Sequence, residues 1–460
     1  MEYVISILVL LIYIFLFKKA AGTLKPNLLN VISFTFYSIL FFQVIGVTIV
    51  YLGFRDHYII NKIVNEETIQ KTYYFLTYAM ICMPIIMILV NQYVYKLKPK
   101  ELEEKYINKL KEPVILGDVS YQNRMFVVIT ILAVICLASI IYVFTCIKYI
   151  PVLKYFDSDF NFAVERINIS RNFAGNQYIK NLVMLTITPM ISYIAYIYMK
   201  VTKEKRWRIL FIILLFMSVL ALTYNFEKST IIYYFIFFFI IHVLLGKTFK
   251  LKSIIPIAVA VIVIILILYK TVMGYNDKIL SLSSGPVSRI IMGQSSTLFL
   301  HVDAFPEIIP FLGGRSFPEI FKFVFGTEGE YDVRSGREVM ETYAKAAVEE
   351  GRAGVMNTLY IGEAYANFGI VGLIISPIIV SFIFSTILCL FLKFKKTPLN
   401  MILYLESFII FTNVLQGGFV DFFYNVKFFV VLLTIFIIHI FATSKKENTH
   451  INLLMERKEK

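Results

Sequence analysis

The chain has 460 residues, of which 58% are hydrophobic and 17% are charged, and its formal net charge is +14. This composition is too apolar for a soluble domain and is typical of a protein that crosses a membrane several times. The positive charge is mostly lysine in short connections between apolar segments, so it does not indicate a nucleic-acid ligand.

A bilayer core about 30 Å thick requires roughly 20 apolar residues per helix. The sequence predicts eleven such spans, at 3–17, 28–54, 73–95, 125–147, 182–199, 209–225, 230–246, 253–269, 368–392, 398–417 and 428–442. The first is short enough to be a cleaved signal peptide, but no small-x-small cleavage site precedes the second span, which favours a helix. The predicted fold is therefore an all-α polytopic membrane protein. Its spans occupy 1–269 and 368–442, with a loop at 270–367 and a tail at 443–460.

The basic residues predict the orientation of this bundle. The connections on one side, including the tail, contain 26 lysines and arginines, whereas the short connections on the other side contain 10. Cytoplasmic connections carry the basic excess. We therefore expect the amino terminus outside, the carboxyl terminus in the cytoplasm and the 270–367 loop outside, in the cytoplasmic (inner) membrane of a bacterium.

The 270–367 loop is the one long polar stretch of the chain, and it carries five of the twelve arginines. A protein that only moves a solute across a bilayer rarely needs such a loop. An enzyme that acts on a substrate held at the membrane surface usually does. The loop therefore favours an enzyme.

Arginine and lysine are distributed unequally between the two predicted sides. Four of the 26 inner basic residues are arginines, against eight of the 19 outer ones. Because a planar guanidinium binds phosphate or carboxylate in a bidentate manner, this bias indicates an anionic ligand. The alternative for each arginine is a pair with a nearby acid. The candidates are Arg166, Arg171, Arg289, Arg315, Arg334, Arg337 and Arg352, together with Lys228 in the outward turn 225–229.

Other signals in the sequence are weaker. Asp157-Ser158-Asp159 has the spacing of metal-binding transferases that use nucleotide sugars, but it is predicted outside, where those sugars are not available. Glu406 lies within a predicted span, where an acid either lines a functional cleft or pairs within the bundle. No C-x-x-C spacing, P-loop or G-x-G-x-x-G is present, so the sequence indicates neither a zinc site nor a nucleotide.

The segment 357–372 leads from the loop into the ninth predicted span and reads G-E-x-Y-x-N-F-G-x-x-G from Gly362 to Gly372. Its glycines allow close backbone approach in a packed helix. Asn367 is expected to cap a helix that starts at Phe368. On these grounds alone Glu363 either closes a turn or serves a function.

This motif, the eleven spans, the single large outer loop and the outer arginines resemble the Wzy or O-antigen polymerase family of oligosaccharide repeat-unit polymerases. The resemblance implies a GT-C-like, metal-independent membrane glycosyltransferase without a cofactor. Its substrates would be undecaprenyl-pyrophosphate-linked oligosaccharides, and its product O-antigen, capsule or exopolysaccharide. A polysaccharide chain-length regulator is the partner implied.

The implied reaction joins a sugar hydroxyl to an anomeric carbon while lipid pyrophosphate leaves. Outer cations would stabilise the charge on the pyrophosphate, a role that falls to the seven candidate arginines and Lys228. A base is needed for the hydroxyl, and the outward candidates are Glu363, His301 and Asp303. The family motif covers Glu363 alone.

Two alternatives stay open from the sequence. A ligase that transfers finished polymer to another acceptor would share the topology and the outer arginines. A flippase for the same lipid-linked sugar predicts charges in several spans and internal repeats, whereas Glu406 is nearly alone as a charge in the middle of a span.

Overall fold

The computed structural model describes the chain except residues 64, 155–164, 166–168, 170–172, 248–280, 284, 332, 351–353 and 444–460. For residues 152, 228, 229 and 286 it describes the backbone alone.

The described residues form helices and no β-strand. In chain order the α-helices are α1 (Glu2–Ala21), α2 (Val31–Ile39), α3 (Ile45–Tyr51), α4 (Glu67–Leu89), α5 (Pro99–Lys111), α6 (Val119–Ile147), α7 (Pro151–Lys154), α8 (Thr188–Thr202), α9 (Lys205–Leu222), α10 (Lys228–Leu244), α11 (Pro286–Ile291), α12 (Gly293–Ala304), α13 (Glu319–Phe325), α14 (Ser335–Tyr343), α15 (Lys345–Glu349), α16 (Tyr360–Lys393), α17 (Pro398–Leu415) and α18 (Val426–Thr443). Turns of π-helix at Leu40–Val44, Val90–Val94 and Ile179–Ile187 extend or join the helices beside them.

Eight helical segments of the described chain are long and apolar enough to cross a membrane. They are Glu2–Leu28, Val31–Tyr51, Glu67–Val94, Val119–Ile147, Ile179–Thr202, Tyr360–Lys393, Pro398–Leu415 and Val420–Thr443. The prediction of an all-α protein embedded in a membrane is thereby confirmed at this level.

The three remaining predicted spans differ from these eight. The helix at the sixth, α9, has three basic residues in its first turn. At the seventh, the apolar part is the shorter helix Thr230–Leu244. The eighth, 253–269, lies outside the described residues. The count of eleven spans stays a prediction.

The chain divides into two compact units. The first contains Met1–Pro113, Phe239–Phe394 and Tyr404–Val426, and the second contains Val114–Phe238, Lys395–Leu403 and Lys427–Lys460. In the second unit the ring of Trp207 stacks on Tyr198, with 4.3 Å between ring centroids, and both side chains are fully buried.

In the first unit a series of hydrogen bonds joins α16 to α4 and the π-turn that follows it. The hydroxyls of Ser381 and Ser385 donate to the carbonyls of Met83 and Met87, at 2.9 and 3.4 Å. One helical turn further on, the Cys389 thiol donates to Asn91 Oδ1 at 3.3 Å. Small side chains at four-residue spacing let the two helices approach closely and pair their polar groups directly.

The long loop contributes a helix to the interior of this unit. Every residue of α12 from Ser295 to Ala304 is buried. A Cβ added to Gly46, in α3, would lie 2.1 Å from Ser295 Oγ, so the two helices meet where Gly46 has no side chain. Nearby, Gln43 Nε2 donates to Gln416 Oε1 at 2.7 Å and to the Gln294 carbonyl at 3.4 Å. The long loop therefore contributes a buried helix to the core of this unit in addition to its polar residues.

Candidate functional site

Glu363 of the G-E-x-Y motif lies in the first turn of α16, and its side chain is buried. Its Oε2 accepts a hydrogen bond from the Val420 backbone N–H at 3.0 Å. Gly418 has a φ of 146°, and a Cβ there would lie 2.3 Å from the same Oε2. The connection between α17 and α18 is thus folded directly around the Glu363 carboxylate.

Arg334 joins this carboxylate to a second one. Its Nη1 lies 3.3 Å from Glu363 Oε1, and its Nη2 lies 2.5 Å from Asp421 Oδ1. The exposed fractions of the side chains are 4% for Glu363, 44% for Arg334 and 33% for Asp421. We call these residues the Arg334 cluster. It has a buried end, Glu363, and an outer edge formed by one guanidinium and one carboxylate.

The two carboxylates also set the charge of Arg334. Burial lowers the pKa of the guanidinium, but attraction to Glu363 and Asp421 outweighs burial, so the pKa is raised above its ordinary value. Arg334 therefore stays cationic at every physiological pH. Its position is fixed by two ion pairs, as a preorganised site requires.

The motif's second polar residue, Asn367, stabilises a break in α16. Gly369 adopts φ 59° and ψ −141° within the helix. Beside this kink, the backbone N–H groups of Leu312 and Gly313 donate to the carbonyls of Ala366 and Asn367, both at 2.9 Å. Asn367 Nδ2 donates to Ser316 Oγ at 3.1 Å and to the Glu363 carbonyl at 2.9 Å.

The prediction that Asn367 caps a helix is wrong, because its Nδ2 donates to Ser316 and to the Glu363 carbonyl instead. A first helical segment begins at Tyr360, and the non-helical Gly369 separates it from a second one, which follows close to the predicted start at Phe368. Polar residues are tolerated in this first part because the segment 312–316 and the connection after α17 supply partners for them.

His301 lies in α12 and is fully buried. Its Nδ1 lies 2.8 Å from the Thr297 carbonyl, and its Nε2 lies 3.2 Å from Ser335 Oγ. Burial lowers its pKa to about 4, so the ring is neutral at pH 7. The carbonyl partner then assigns the proton to Nδ1, and Nε2 accepts from the Ser335 hydroxyl. Ser335 follows Arg334 directly, so His301 supports the segment that carries the guanidinium.

Asp303, two residues later, uses both carboxylate oxygens within the fold. Oδ1 accepts from the Asn65 backbone N–H at 3.1 Å and from the Thr68 hydroxyl at 2.8 Å. Oδ2 accepts from the Tyr343 hydroxyl at 2.6 Å. Burial and this bond raise the pKa of Tyr343, which keeps the phenol protonated as the donor. Asp303 thus joins α12 to the start of α4 and to the end of α14.

The other candidate cations do not join the Arg334 cluster among the described residues. Arg315 Nε donates to the Leu312 carbonyl at 3.2 Å and lies 3.5 Å from Glu330 Oε2. Arg337 pairs with Glu341 across one turn of α14, at 2.5 Å. Arg289 is exposed on α11. Arg166, Arg171 and Arg352 lie outside the described residues, and for Lys228 the backbone alone is described.

Asp421 is the member of the cluster that sequence reasoning missed. It is an isolated acid among aromatic residues in the short connection after α17, F-V-D-F-F-Y. An acid in such a connection on the predicted outer side was the available signal, since charges at span ends are usually paired or functional. Glu406, the acid noted within a span, is buried in α17.

The chemistry that this arrangement offers is that of a fixed cation beside an accessible carboxylate. The guanidinium can bind an anion, and the carboxylate can accept a proton. The residues described contain no group of three or more His, Cys, Asp or Glu side chains that could hold a metal ion. No protein-family model, curated protein or solved structure matches the chain.

Proposed function

We propose that this protein is a membrane glycosyltransferase that joins undecaprenyl-pyrophosphate-linked oligosaccharide repeat units into a surface polysaccharide on the outer face of the cytoplasmic membrane. The observation that carries the proposal is the Arg334 cluster. In this cluster an arginine of the long loop pairs with the glutamate of the motif that resembles the Wzy family and with an acid of the last connection. The predicted orientation of the bundle would put all three residues on the outer side.

Lipid pyrophosphate is a good leaving group, so its departure needs charge stabilisation more than protonation. A preorganised cation at the point where negative charge develops supplies this stabilisation. Arg334 meets the requirement because two carboxylates fix its guanidinium while 44% of its side chain stays exposed. Its position close to the end of a membrane-length helix, α16, suits a substrate whose lipid remains in the bilayer.

The test is deletion of the gene in its host, with mass spectrometry of the accumulated undecaprenyl-linked glycans and a measurement of their accessibility at the surface. If the protein is a polymerase, its loss leaves single repeat units exposed on the outer face. Full-length polymer still on its lipid would instead indicate a ligase, and single repeats trapped inside would indicate a flippase. Unchanged glycans would contradict all three.

Complementation then connects the activity to the site. The wild-type gene should restore polymer, and Arg334→Ala should not, although the variant reaches the membrane in equal amount. Polymer of normal length and yield from the Arg334→Ala gene would contradict the role of the cluster.

A further inference from the structure

The outer edge of the Arg334 cluster contains a carboxylate whose two oxygens are in different situations. Asp421 Oδ1 receives the Arg334 Nη2 hydrogen bond at 2.5 Å, whereas Oδ2 accepts no hydrogen bond from the residues that the structure describes. One third of the side chain is exposed. Asp421 can therefore be approached by a ligand without losing its contact with the guanidinium.

The two other carboxylates predicted as candidate bases, Glu363 and Asp303, are hydrogen-bonded through both of their oxygens within the fold. Glu363 is bound through one oxygen to Arg334 and through the other to the Val420 N–H, and it is buried. Asp303 receives three hydrogen bonds on its two oxygens, from Asn65, Thr68 and Tyr343. An incoming hydroxyl could reach either group only after these bonds break.

We propose that Asp421 is the base that takes the proton from the acceptor sugar hydroxyl, an assignment that rests on the proposed polymerase function. The hydroxyl oxygen forms a bond to the anomeric carbon of the donor. The bond from that carbon to the pyrophosphate oxygen breaks, and its electron pair leaves with the lipid pyrophosphate. The hydroxyl proton moves to Asp421 Oδ2 and afterwards to water. Arg334, whose guanidinium is also paired with the buried Glu363, stabilises the charge that develops on the leaving group.

The geometry around Asp421 supports this division of roles. Val420, its neighbour in the chain, donates its backbone N–H to Glu363, so the backbone that carries Asp421 is anchored to the buried end of the cluster. Phe423, two residues later, packs its ring 5.5 Å from that of Phe317, between ring centroids. A base fixed in this way loses little conformational freedom when substrate binds.

The experiment uses the full chain, purified and placed in lipid nanodiscs, with undecaprenyl-pyrophosphate-linked repeat units isolated from the deletion strain. Asp421→Asn keeps the shape and an oxygen for Arg334 but removes the base. Since general bases contribute about a hundredfold to ten-thousandfold, the joining rate should fall at least a hundredfold. Glu341→Gln is the matched control, because Glu341 is another partly exposed carboxylate at 2.5 Å from an arginine. It should join units at the wild-type rate.

Asp421→Ala provides a second measurement that a purely structural role would not affect. Formate, a small carboxylate, should raise its rate at least tenfold and should leave Asp421→Asn and the wild type unchanged. If the asparagine variant fails to fold, as judged by gel filtration, the rate of the alanine variant with and without formate still tests whether Asp421 is the base.

The outcomes separate this proposal from the function on which it rests. Wild-type protein that fails to join units would overturn both. Active wild-type protein with an Asp421→Asn rate within threefold, or an Asp421→Ala variant insensitive to formate, would overturn the role of Asp421 and leave the polymerase standing.

Discussion

Arg334 is the only cation of the described cluster, and it compensates two carboxylates at once. Its loss would leave the Glu363 carboxylate buried without its cation, although the hydrogen bond from the Val420 N–H would remain. A buried carboxyl without its cation is strongly destabilising, whereas the removal of both partners can be nearly neutral. The two ends of the pair should therefore be strongly coupled.

We expect Arg334→Met to lower the free energy of unfolding by about 1–3 kcal/mol, less than for a fully buried pair because Arg334 is partly exposed. The double variant Arg334→Met/Glu363→Gln should recover most of this loss. Unfolding in detergent, followed by circular dichroism, measures both. Strictly additive effects of the two substitutions would mean that the pair is not coupled.

His301 makes the stability of the protein depend on pH. Its pKa is lowered from 6.5 to about 4 by burial. The unfolded chain therefore binds a proton between pH 6.5 and 4 that the folded chain does not bind. Stability is full above pH 6.5 and is lost as the pH falls toward 4, by about 3 kcal/mol for a shift of this size.

The expected result is a melting temperature that falls as the pH is lowered from 6.5 to 4, with a shallower fall in His301→Gln. Part of the dependence should remain in the variant, because burial also lowers the pKa of His57 to about 4. Differential scanning fluorimetry across this range is the measurement. Identical pH profiles for the variant and the wild type would contradict a neutral buried His301.

Among the elements, the connection between α17 and α18 depends most on a single backbone position. Gly418 has a φ of 146°, which side chains disfavour, and its missing Cβ leaves the space that Glu363 Oε2 occupies. Gly417 is its natural control. A Cβ there would meet nothing closer than 3.5 Å.

We expect Gly418→Ala to abolish polymer formation in complemented cells and to lower the melting temperature, since the carboxylate and the connection cannot keep their positions. Gly417→Ala should do neither. Polysaccharide gels and fluorimetry on the purified variants give the two readings. Equal behaviour of the two alanine variants would mean that the contact between Gly418 and Glu363 is unimportant.

The elements also show how far sequence reasoning reached. Hydropathy predicted most of the long helices because about 20 apolar residues in succession have few alternatives in a bilayer. It missed the helical segment from Tyr360 to the break at Gly369, because Glu363 and Asn367 are polar and their partners, Val420 and Ser316, are remote in the chain.

At the level of the site, the motif drew attention to Glu363, and the arginine bias included Arg334. Neither pattern showed that these two residues meet, because pairing between residues 29 positions apart depends on tertiary structure. Residue type alone could not separate Arg334 from Arg337, which pairs with Glu341 within its own helix. Asp421 carried too little local pattern to be singled out.

For the whole molecule, the predicted orientation leads to a labelling experiment. In a variant without its four native cysteines, Tyr331→Cys should react with a membrane-impermeant maleimide in intact cells, because Tyr331 is 87% exposed in the loop predicted outside. Glu104→Cys, exposed on α5 in a connection predicted inside, should react after lysis and not before. The opposite pattern would place the Arg334 cluster in the cytoplasm and exclude a reaction on the outer face.

The burial of α12 has a consequence for how the protein is made. Polar groups of the first helices find their partners late in the chain. Gln43 donates to Gln294 and Gln416, and Thr68 donates to Asp303. These partners are synthesised long after the first helices. Insertion of α2, α3 and α4 into the bilayer and completion of the bundle are therefore separate events during biogenesis. We therefore expect a nascent chain that stops before α12 to expose unpaired amides and hydroxyls in its apolar helices and to be degraded by membrane quality-control proteases.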